Sequence, residues 1–385
     1  MNIAEIGRET RLHVPDEVLA DLQSRLAATR LPLQQAGEDW ATGTPISYVR
    51  QLVERWRTGF DWRSWEKRIN SFDNRLVEVD GETIHVVVEP GSGDSPLPLI
   101  LTNGWPGSFL EFLGLIDRLA HPERHGGDVR DAFTVIVPGL PGYGLSPPPA
   151  GPVSPARVAQ LWSKLARETF GLERFGAYGA DWGSLITGTW ARDFPEGLAG
   201  VVLTTSGGPP FLGEGEPPLS AAEQAWIQAV GASNAKEGAY QGLQGTKPQS
   251  LAYGHTDSPA ALAAWIAEKF RGWSVPDENG DPPLPMDELI ANIMLYWING
   301  AVAPMWFYLF LGELTKPQTE PRRSSVPAGF YLAAGDLIPP APCEWMERIY
   351  DVRRYTLVEG GGHFPGYDNP GLLIEELRAF FRTLR

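Results

Sequence analysis

The sequence predicts an α/β protein: a mostly parallel, doubly wound sheet with a helical strap before it and a helical insertion within it. Three observations carry that reading. From residue 97 onward, short apolar runs bounded by Gly and Pro alternate with amphipathic stretches, the pattern of strands joined by helical crossovers. The alternation stops over 207–320, where Pro- and Gly-punctuated helical text rich in aromatics intervenes, and then resumes. Finally, Arg174-Phe175-Gly176-Ala177-Tyr178-Gly179-Ala180-Asp181-Trp182-Gly183-Ser184 reads as a buried strand entering a sharp turn with a helix just after it. The expected divisions are a helical strap over 1–75, a first core part over 76–206, a helical lid over 207–320 and a second core part over 321–385.

Taken in order, Asp16–Ala27 places Val18, Leu19, Leu22 and Leu26 on one helical face, and Thr29-Arg30-Leu31-Pro32 ends it. A second helix is expected over 46–56, and a shorter one after Phe60-Asp61-Trp62-Arg63 that runs to Asn70. Segments 76–79 and 83–88 alternate across Asp80-Gly81, a strong hairpin signal. Strands follow at 97–102, 133–138 and 199–204, with helices at 109–120 and 156–170. After the insertion come strands at 328–333 and 354–359 and a closing helix at 372–384. An insertion placed after the Asp181 turn would cover the carboxyl edge of the strands, where such sheets bind ligands.

Composition limits what the chain can do. With 385 residues, 43% hydrophobic and 21% charged, it is an ordinary globular sequence long enough for a large domain with inserted pieces. A net charge of −15 argues against nucleic acid or anionic membrane as partner. The single cysteine, Cys343, excludes an internal disulfide framework and fits a reducing cytoplasm. Met1-Asn2-Ile3-Ala4-Glu5 has no apolar signal core, and no run reaches the ~20 apolar residues of a membrane span. A cytoplasmic protein without a membrane partner is therefore expected, with a homodimer left open. The 43 Gly and 35 Pro, with Arg ahead of Lys, fit a GC-rich bacterial genome.

The pattern Gly179-x-Asp181-x-Gly183 is that of a nucleophile elbow with Asp at its centre. Small neighbours let the next helix pass close to the strand, and the helix N-terminus favours an anion. An Asp is already ionised at neutral pH, its reference pKa being about 3.9. Attack by a carboxylate on an ester or amide would give a labile anhydride, so acyl transfer is disfavoured. Attack on an sp3 carbon bearing a leaving group gives an alkyl-enzyme ester that water can hydrolyse, and epoxides and haloalkanes suit that scheme. The alternative is a Gly-rich turn whose Asp merely caps a helix.

A second carboxylate and a histidine should follow the nucleophile in that order. Asp336 follows the strand at 328–333 in a Gly-Asp turn, and His363 follows the strand at 354–359 in Gly360-Gly361-Gly362-His363-Phe364. Asn103-Gly104-Trp105-Pro106-Gly107 is a turn after a core strand whose N–H groups, with that of Trp182, are candidates for an oxyanion hole. A plain Pro/Gly turn explains that loop equally well.

Together these segments resemble the epoxide hydrolases of the α/β-hydrolase superfamily, of the microsomal and juvenile-hormone type with an N-terminal strap. The resemblance runs from about residue 10 to the C-terminus. It rests on Thr29-Arg30-Leu31-Pro32 with Trp40 and Gly43, Phe60-Asp61-Trp62, Gly104-Trp105-Pro106-Gly107-Ser108 with Glu111-Phe112, and Pro141-Gly142-Tyr143-Gly144. Further matches are Asp181-Trp182-Gly183-Ser184, Thr246-Lys247-Pro248, Asp257-Ser258-Pro259, Glu268-Lys269-Phe270, Tyr296-Trp297 and Gly361-Gly362-His363-Phe364. The resemblance implies that two tyrosines of the insertion protonate the epoxide oxygen. Tyr240 matches the first. The second normally lies in Ser-x-Arg-x-Tyr; here the text is Ala303-Pro304-Met305-Trp306-Phe307-Tyr308, and Tyr308 matches if one residue is deleted. Asn103 stands where the family usually has His, and Asp336 where the microsomal type has Glu.

The implied enzyme takes a small-molecule epoxide and water to a vicinal diol, with Asp181 as nucleophile, His363 oriented by Asp336 as base, and no metal or organic cofactor. The aromatic-rich insertion favours a bulky or aromatic substrate, in detoxification or in biosynthesis of a natural product such as an antibiotic. Rivals are a haloalkane dehalogenase, with Trp182, Trp306 and Asn103 holding the halide, and a non-catalytic ligand-binding protein on the same fold.

Overall fold

The computed structural model describes residues 6–34, 39–316 and 318–385; residues 1–5, with no apolar signal core in their sequence, lie outside them. Its sheet comprises β1 (Arg8–Glu9), β2 (Asp73–Val79), β3 (Glu82–Glu89), β4 (Leu97–Thr102), β5 (Phe133–Pro138), β6 (Phe175–Gly179), β7 (Leu198–Leu203), β8 (Pro327–Ala333) and β9 (Asp351–Val358). The order is β1-β2-β3-β5-β4-β6-β7-β8-β9. β1 to β3 and β5 pair antiparallel; from β5 through β4 to β9 all pairing is parallel. Asp80 and Gly81, at φ 51° and 90°, make the two-residue turn of the hairpin. That hairpin starts at Asp73, three positions before the sequence pattern begins to alternate, and the two-residue edge strand β1 has no sequence signal of its own.

Helices cover the sheet. α1 (Asp16–Ala27), α2 (Ile46–Thr58) and α3 (Trp62–Ile69) form the strap. α4 (Leu110–Ala120) joins β4 to β5, α5 (Pro155–Lys164) leads to β6, and α6 (Trp182–Asp193) leads to β7. The expected single helix over 156–170 changes pitch: Leu165–Thr169 is a π-helical turn. Central strands are apolar on both faces, as a covered parallel sheet requires; Leu99, Ile100, Val135, Ile136, Phe175 and Val201 are fully buried.

Between β7 and β8 lie α7 (Ala221–Glu237), α8 (Ala239–Thr246), α9 (Pro248–Asp257), α10 (Pro259–Gly272), α11 (Met286–Asn299), α12 (Val302–Met305) and α13 (Leu311–Leu314). α14 (Cys343–Glu347) precedes β9, and α15 (Pro365–Asp368) and α16 (Pro370–Arg382) close the chain. The strap packs on this insertion, α1 and α2 against α10 and α2 against α11. Its ion pairs, such as Arg25–Asp257 (2.8 Å) and Arg55–Asp287 (2.6 Å), are largely exposed. They contribute little; burial of Leu22, Leu26, Leu52 and Trp56 holds the strap in place. Among the described residues no single helix is long and apolar enough to cross a membrane.

The strand order puts β5 on one side of β4 and β6 on the other, with Thr102 beside Gly179 in the register. This is a topological switch point. The loops leaving β4 and β6 diverge from adjacent strand ends and leave a crevice between them.

Candidate active site

β6 delivers Asp181 to that crevice in a backbone conformation that a non-glycine residue seldom adopts, φ 54° and ψ −125°. The turn is held from below. Ala180 N donates to Thr102 O (3.0 Å), and the buried Ser184 hydroxyl donates to Gly179 O (2.6 Å) while accepting from Thr204 N (3.1 Å). Gly183 is obligatory here: a Cβ would lie 2.1 Å from Thr102 O.

The loop after β4 supplies the first partner of the carboxylate: Trp105 N donates to Asp181 Oδ1 at 2.7 Å. Gly104 lets the loop come this close, since its Cβ would fall 1.9 Å from that same oxygen. Helix α11 holds the loop's carbonyls from the other side: Asn292 Nδ2 donates to Pro106 O (2.7 Å) and the Tyr296 hydroxyl to Gly107 O (2.7 Å). With these carbonyls engaged by α11, Trp105 N is left to donate to Asp181. Sequence reading missed Asn292. The available signal was a buried Asn four positions before Tyr296, and hence on the same face, in an otherwise apolar stretch of helix. Asn103 is fully buried and donates from Nδ2 to Gly104 O (3.1 Å), so part of its amide is committed to the loop.

The second partner comes from the end of β9. His363 Nε2 lies 3.0 Å from Asp181 Oδ2 and Nδ1 lies 2.9 Å from Asp336 Oδ1. His363 is 2% exposed. Burial works against its charge, but the Asp336 and Asp181 carboxylates outweigh it and raise its pKa well above the usual imidazole range. Its backbone is fixed as well: His363 N donates to Trp273 O (2.7 Å), and the Trp273 ring meets the imidazole edge-on. Asp368 accepts from Gly362 N (2.8 Å) and Phe364 N (3.3 Å) on either side of the histidine, and from the Ser274 hydroxyl (3.2 Å). Below this loop the buried Glu111 accepts from Gly366 N at 3.1 Å, and burial pushes its carboxyl up to about 8. Neither Asp368 nor Glu111 was assigned a role from sequence. Glu111 is buried beneath the loop that bears His363, and the half-buried Asp368 is engaged by that loop's amides, which local patterning does not reveal.

The insertion closes the site from above. Tyr240 on α8 stacks on Trp105 with ring centroids 5.4 Å apart. Tyr308, in the 3₁₀ turn Trp306–Phe310, stands edge-on to Trp182 (4.9 Å), Trp105 (5.7 Å) and Tyr240 (5.5 Å). The structure therefore brings Tyr308 to Tyr240 despite the altered segment around it. Carbonyl contacts seat that segment: Tyr143 hydroxyl donates to Pro304 O (2.9 Å) and Asn299 Nδ2 to Ser146 O (2.8 Å). Burial raises the Tyr240 phenol, the Asp181 carboxylate adds to this, and the Gln241 amide and Tyr308 hydroxyl pull it back. A cavity of about 430 Å³ reaches Asp181, His363, Tyr240 and Tyr308. Its walls are mainly apolar, including Trp226, Ile227, Val230, Leu311 and Ile338.

A carboxylate on an elbow, backed by an Asp–His pair and a backbone donor at a switch point, defines a hydrolase of the α/β-hydrolase fold. Residues 7–112 match the family model for the epoxide hydrolase N terminus, and residues 98–236 the α/β-hydrolase fold model. The chain is 39% identical over 381 residues to "Putative epoxide hydrolase" of Stigmatella aurantiaca, covering 97% of this chain and 84% of that protein. It is 28% identical over 408 residues to epoxide hydrolase 1 of Sus scrofa, covering 98% and 89%. An enantioselective mutant of the Aspergillus niger epoxide hydrolase superposes with a TM-score of 0.86 at 27% identity, covering 100% of this chain and 98% of that one. The juvenile hormone epoxide hydrolase of Bombyx mori shares the fold at a TM-score of 0.85 and 23% identity, covering 100% and 99%. The chain belongs to the epoxide hydrolase family.

Proposed function

We propose that the protein opens an epoxide through an ester on Asp181 and hydrolyses that ester with water activated by His363. The observation that carries this is the carboxylate itself. One Asp181 oxygen is held by Trp105 N and the other by His363 Nε2, which aligns a nucleophile and a base about one carboxyl group.

In the first half-reaction Asp181 attacks an epoxide carbon and the C–O bond breaks. The oxygen takes a proton from Tyr240 or Tyr308, leaving a tyrosinate. In the second, His363, held in orientation by Asp336, removes a proton from water, and the hydroxide attacks the ester carbonyl. The N–H groups of Trp105 and Trp182 receive the oxyanion, a contact whose loss costs about 10²–10³ in rate. Collapse expels the diol oxygen, which His363 protonates. The remaining water proton restores the tyrosine, and the water oxygen stays in Asp181. The mainly apolar cavity favours a neutral epoxide carrying a bulky or aromatic group.

The test is a single turnover of a styrene-oxide-like probe in ¹⁸O-water, followed by mass analysis of the peptide containing Asp181. The label belongs in Asp181. Label in the diol, with Asp181 unlabelled after that single turnover, excludes the ester route.

A further inference from the structure

Next to Tyr240 lies a charged group that this chemistry leaves unused. Lys269 on α10 is buried at 5% exposure, and its ammonium is ion-paired with Glu268. Its Nζ lies 4.7 Å from the centroid of the Tyr240 ring, 5.1 Å from that of Trp265 and 6.0 Å from that of Trp273. An ammonium is strongly hydrated and seldom buried. The rest of this face of α10, Leu262, Ala263, Ile266, Ala267 and Phe270, is apolar, so a leucine or methionine would fill the position without that desolvation cost.

What the charge does there follows from the ring beneath it. A cation over an aromatic face is drawn to the π density, and more strongly when the ring becomes anionic. A phenol that gives up its proton becomes a phenolate. Lys269 therefore favours the proton-donating direction at Tyr240. The other groups facing that hydroxyl are mixed in effect: burial and the Asp181 and Asp336 carboxylates hold the proton on, while Gln241 and Tyr308 ease it off. Glu268 tempers the ammonium's field without removing the cation from the ring.

We propose that Lys269 is a positioning residue for ring opening: it fixes the Tyr240 ring against Trp105 and stabilises the negative charge that Tyr240 acquires when its proton passes to the epoxide oxygen. The proposal rests on the reading of Tyr240 as an acid. During the step the O–H electron pair stays on the Tyr240 oxygen, and the Lys269 proton does not move.

The experiment is a double-mutant cycle on the intact enzyme with styrene oxide as probe. Rapid quench and intact-mass spectrometry measure formation and decay of the Asp181 ester, and melting temperatures check the fold. Lys269→Met should slow ester formation roughly tenfold, the size of a desolvated cation–π contact. Ester decay should stay within about twofold, the ordinary limit of additivity between independent sites. Lys269→Arg, which keeps the charge, should restore ester formation. In the Tyr240→Phe background, Lys269→Met should cost nothing further. Equal losses in both half-reactions, or the same tenfold loss in the Tyr240→Phe background, would show a packing role and overturn the proposal. A silent Lys269→Met beside a slow Tyr240→Phe overturns the lysine's role alone; a silent Tyr240→Phe overturns it together with the reading it rests on. Should Lys269→Met fail to fold, Lys269→Gln, which retains a donor toward Glu268, takes its place in the same cycle.

Discussion

His363 Nε2 stands 3.0 Å from Asp181 Oδ2, so the proposed base is ion-paired in the resting enzyme with the group whose ester it must later hydrolyse. Two carboxylates, Asp336 and Asp181, raise its proton affinity over the opposing effect of burial. Esterification of Asp181 would remove one of those charges. The imidazole would then release its proton more readily, at the stage when a base is needed.

That gives a first prediction with a definite sign. The free enzyme's His363, followed by its ring-proton NMR signal, should titrate well above 6.5. The rate of ester hydrolysis, followed in a preformed adduct, should rise with pH through a lower apparent pKa. Equal values in the free enzyme and the adduct would mean that Asp181 does not control the histidine.

A second prediction separates the two half-reactions. His363→Gln should still be alkylated but should stall, so that intact-mass spectrometry finds protein plus one substrate. Asp336→Asn removes the negative charge at Nδ1 and should slow the same step less severely. A His363 variant that accumulates no adduct, while the Asp181 nucleophile remains reactive, would move the histidine out of the hydrolytic step.

Much of this site was readable from sequence, because its parts sit where periodicity changes abruptly. The elbow, the Gly104–Gly107 turn and the loop bearing His363 each follow an apolar strand and are rich in glycine, and at Gly104, Gly183 and Gly362 a Cβ would collide with neighbouring atoms. Tyr308 was the least legible: the surrounding segment departs from the family pattern, and its place depends on a 3₁₀ turn seated by Tyr143 and Asn299. Asn292 and the proposed role of Lys269 were not legible, since the Pro106 carbonyl and the Tyr240 ring they meet are distant in sequence. Asp368 was not, since its amide partners Gly362 and Phe364 lie in an irregular loop without periodicity. β1 was invisible because two residues show no periodicity.

The third prediction concerns the acids and distinguishes an epoxide from a haloalkane as substrate. An alkoxide leaving group is strongly basic and requires a proton; a halide does not. Tyr240→Phe should lower the alkylation rate by roughly 10²–10⁴, the range of a positioned general acid. Tyr308→Phe should do likewise if its hydroxyl reaches the substrate, and little if the ring only packs against Trp182. The double variant should be nearly inactive toward epoxides yet remain open to alkylation by an activated haloalkane. Faster halide release than epoxide hydration in the wild type, with both Tyr→Phe changes silent, would favour a dehalogenase.

The fourth prediction concerns Glu111, whose carboxyl is buried beneath the His363 loop and pushed up to about 8 from an ordinary value of 4.5. A folded pKa raised above the unfolded one means that the native state holds the proton more tightly. The associated stability is fully present below 4.5 and is lost as pH rises toward 8. Across that interval the slope for one group approaches about 1.4 kcal/mol per pH unit. Glu111→Gln keeps an acceptor for Gly366 N and cannot ionise. Its stability in urea should therefore gain on the wild type steadily from pH 5 to pH 8 and level off above. The same change should leave ester formation on Asp181 intact, because the Asp181 carboxylate keeps both Trp105 N and His363. A constant difference between the two proteins across this range would mean that Glu111 is ionised in the native state, and the loop would then be holding a charge rather than a proton.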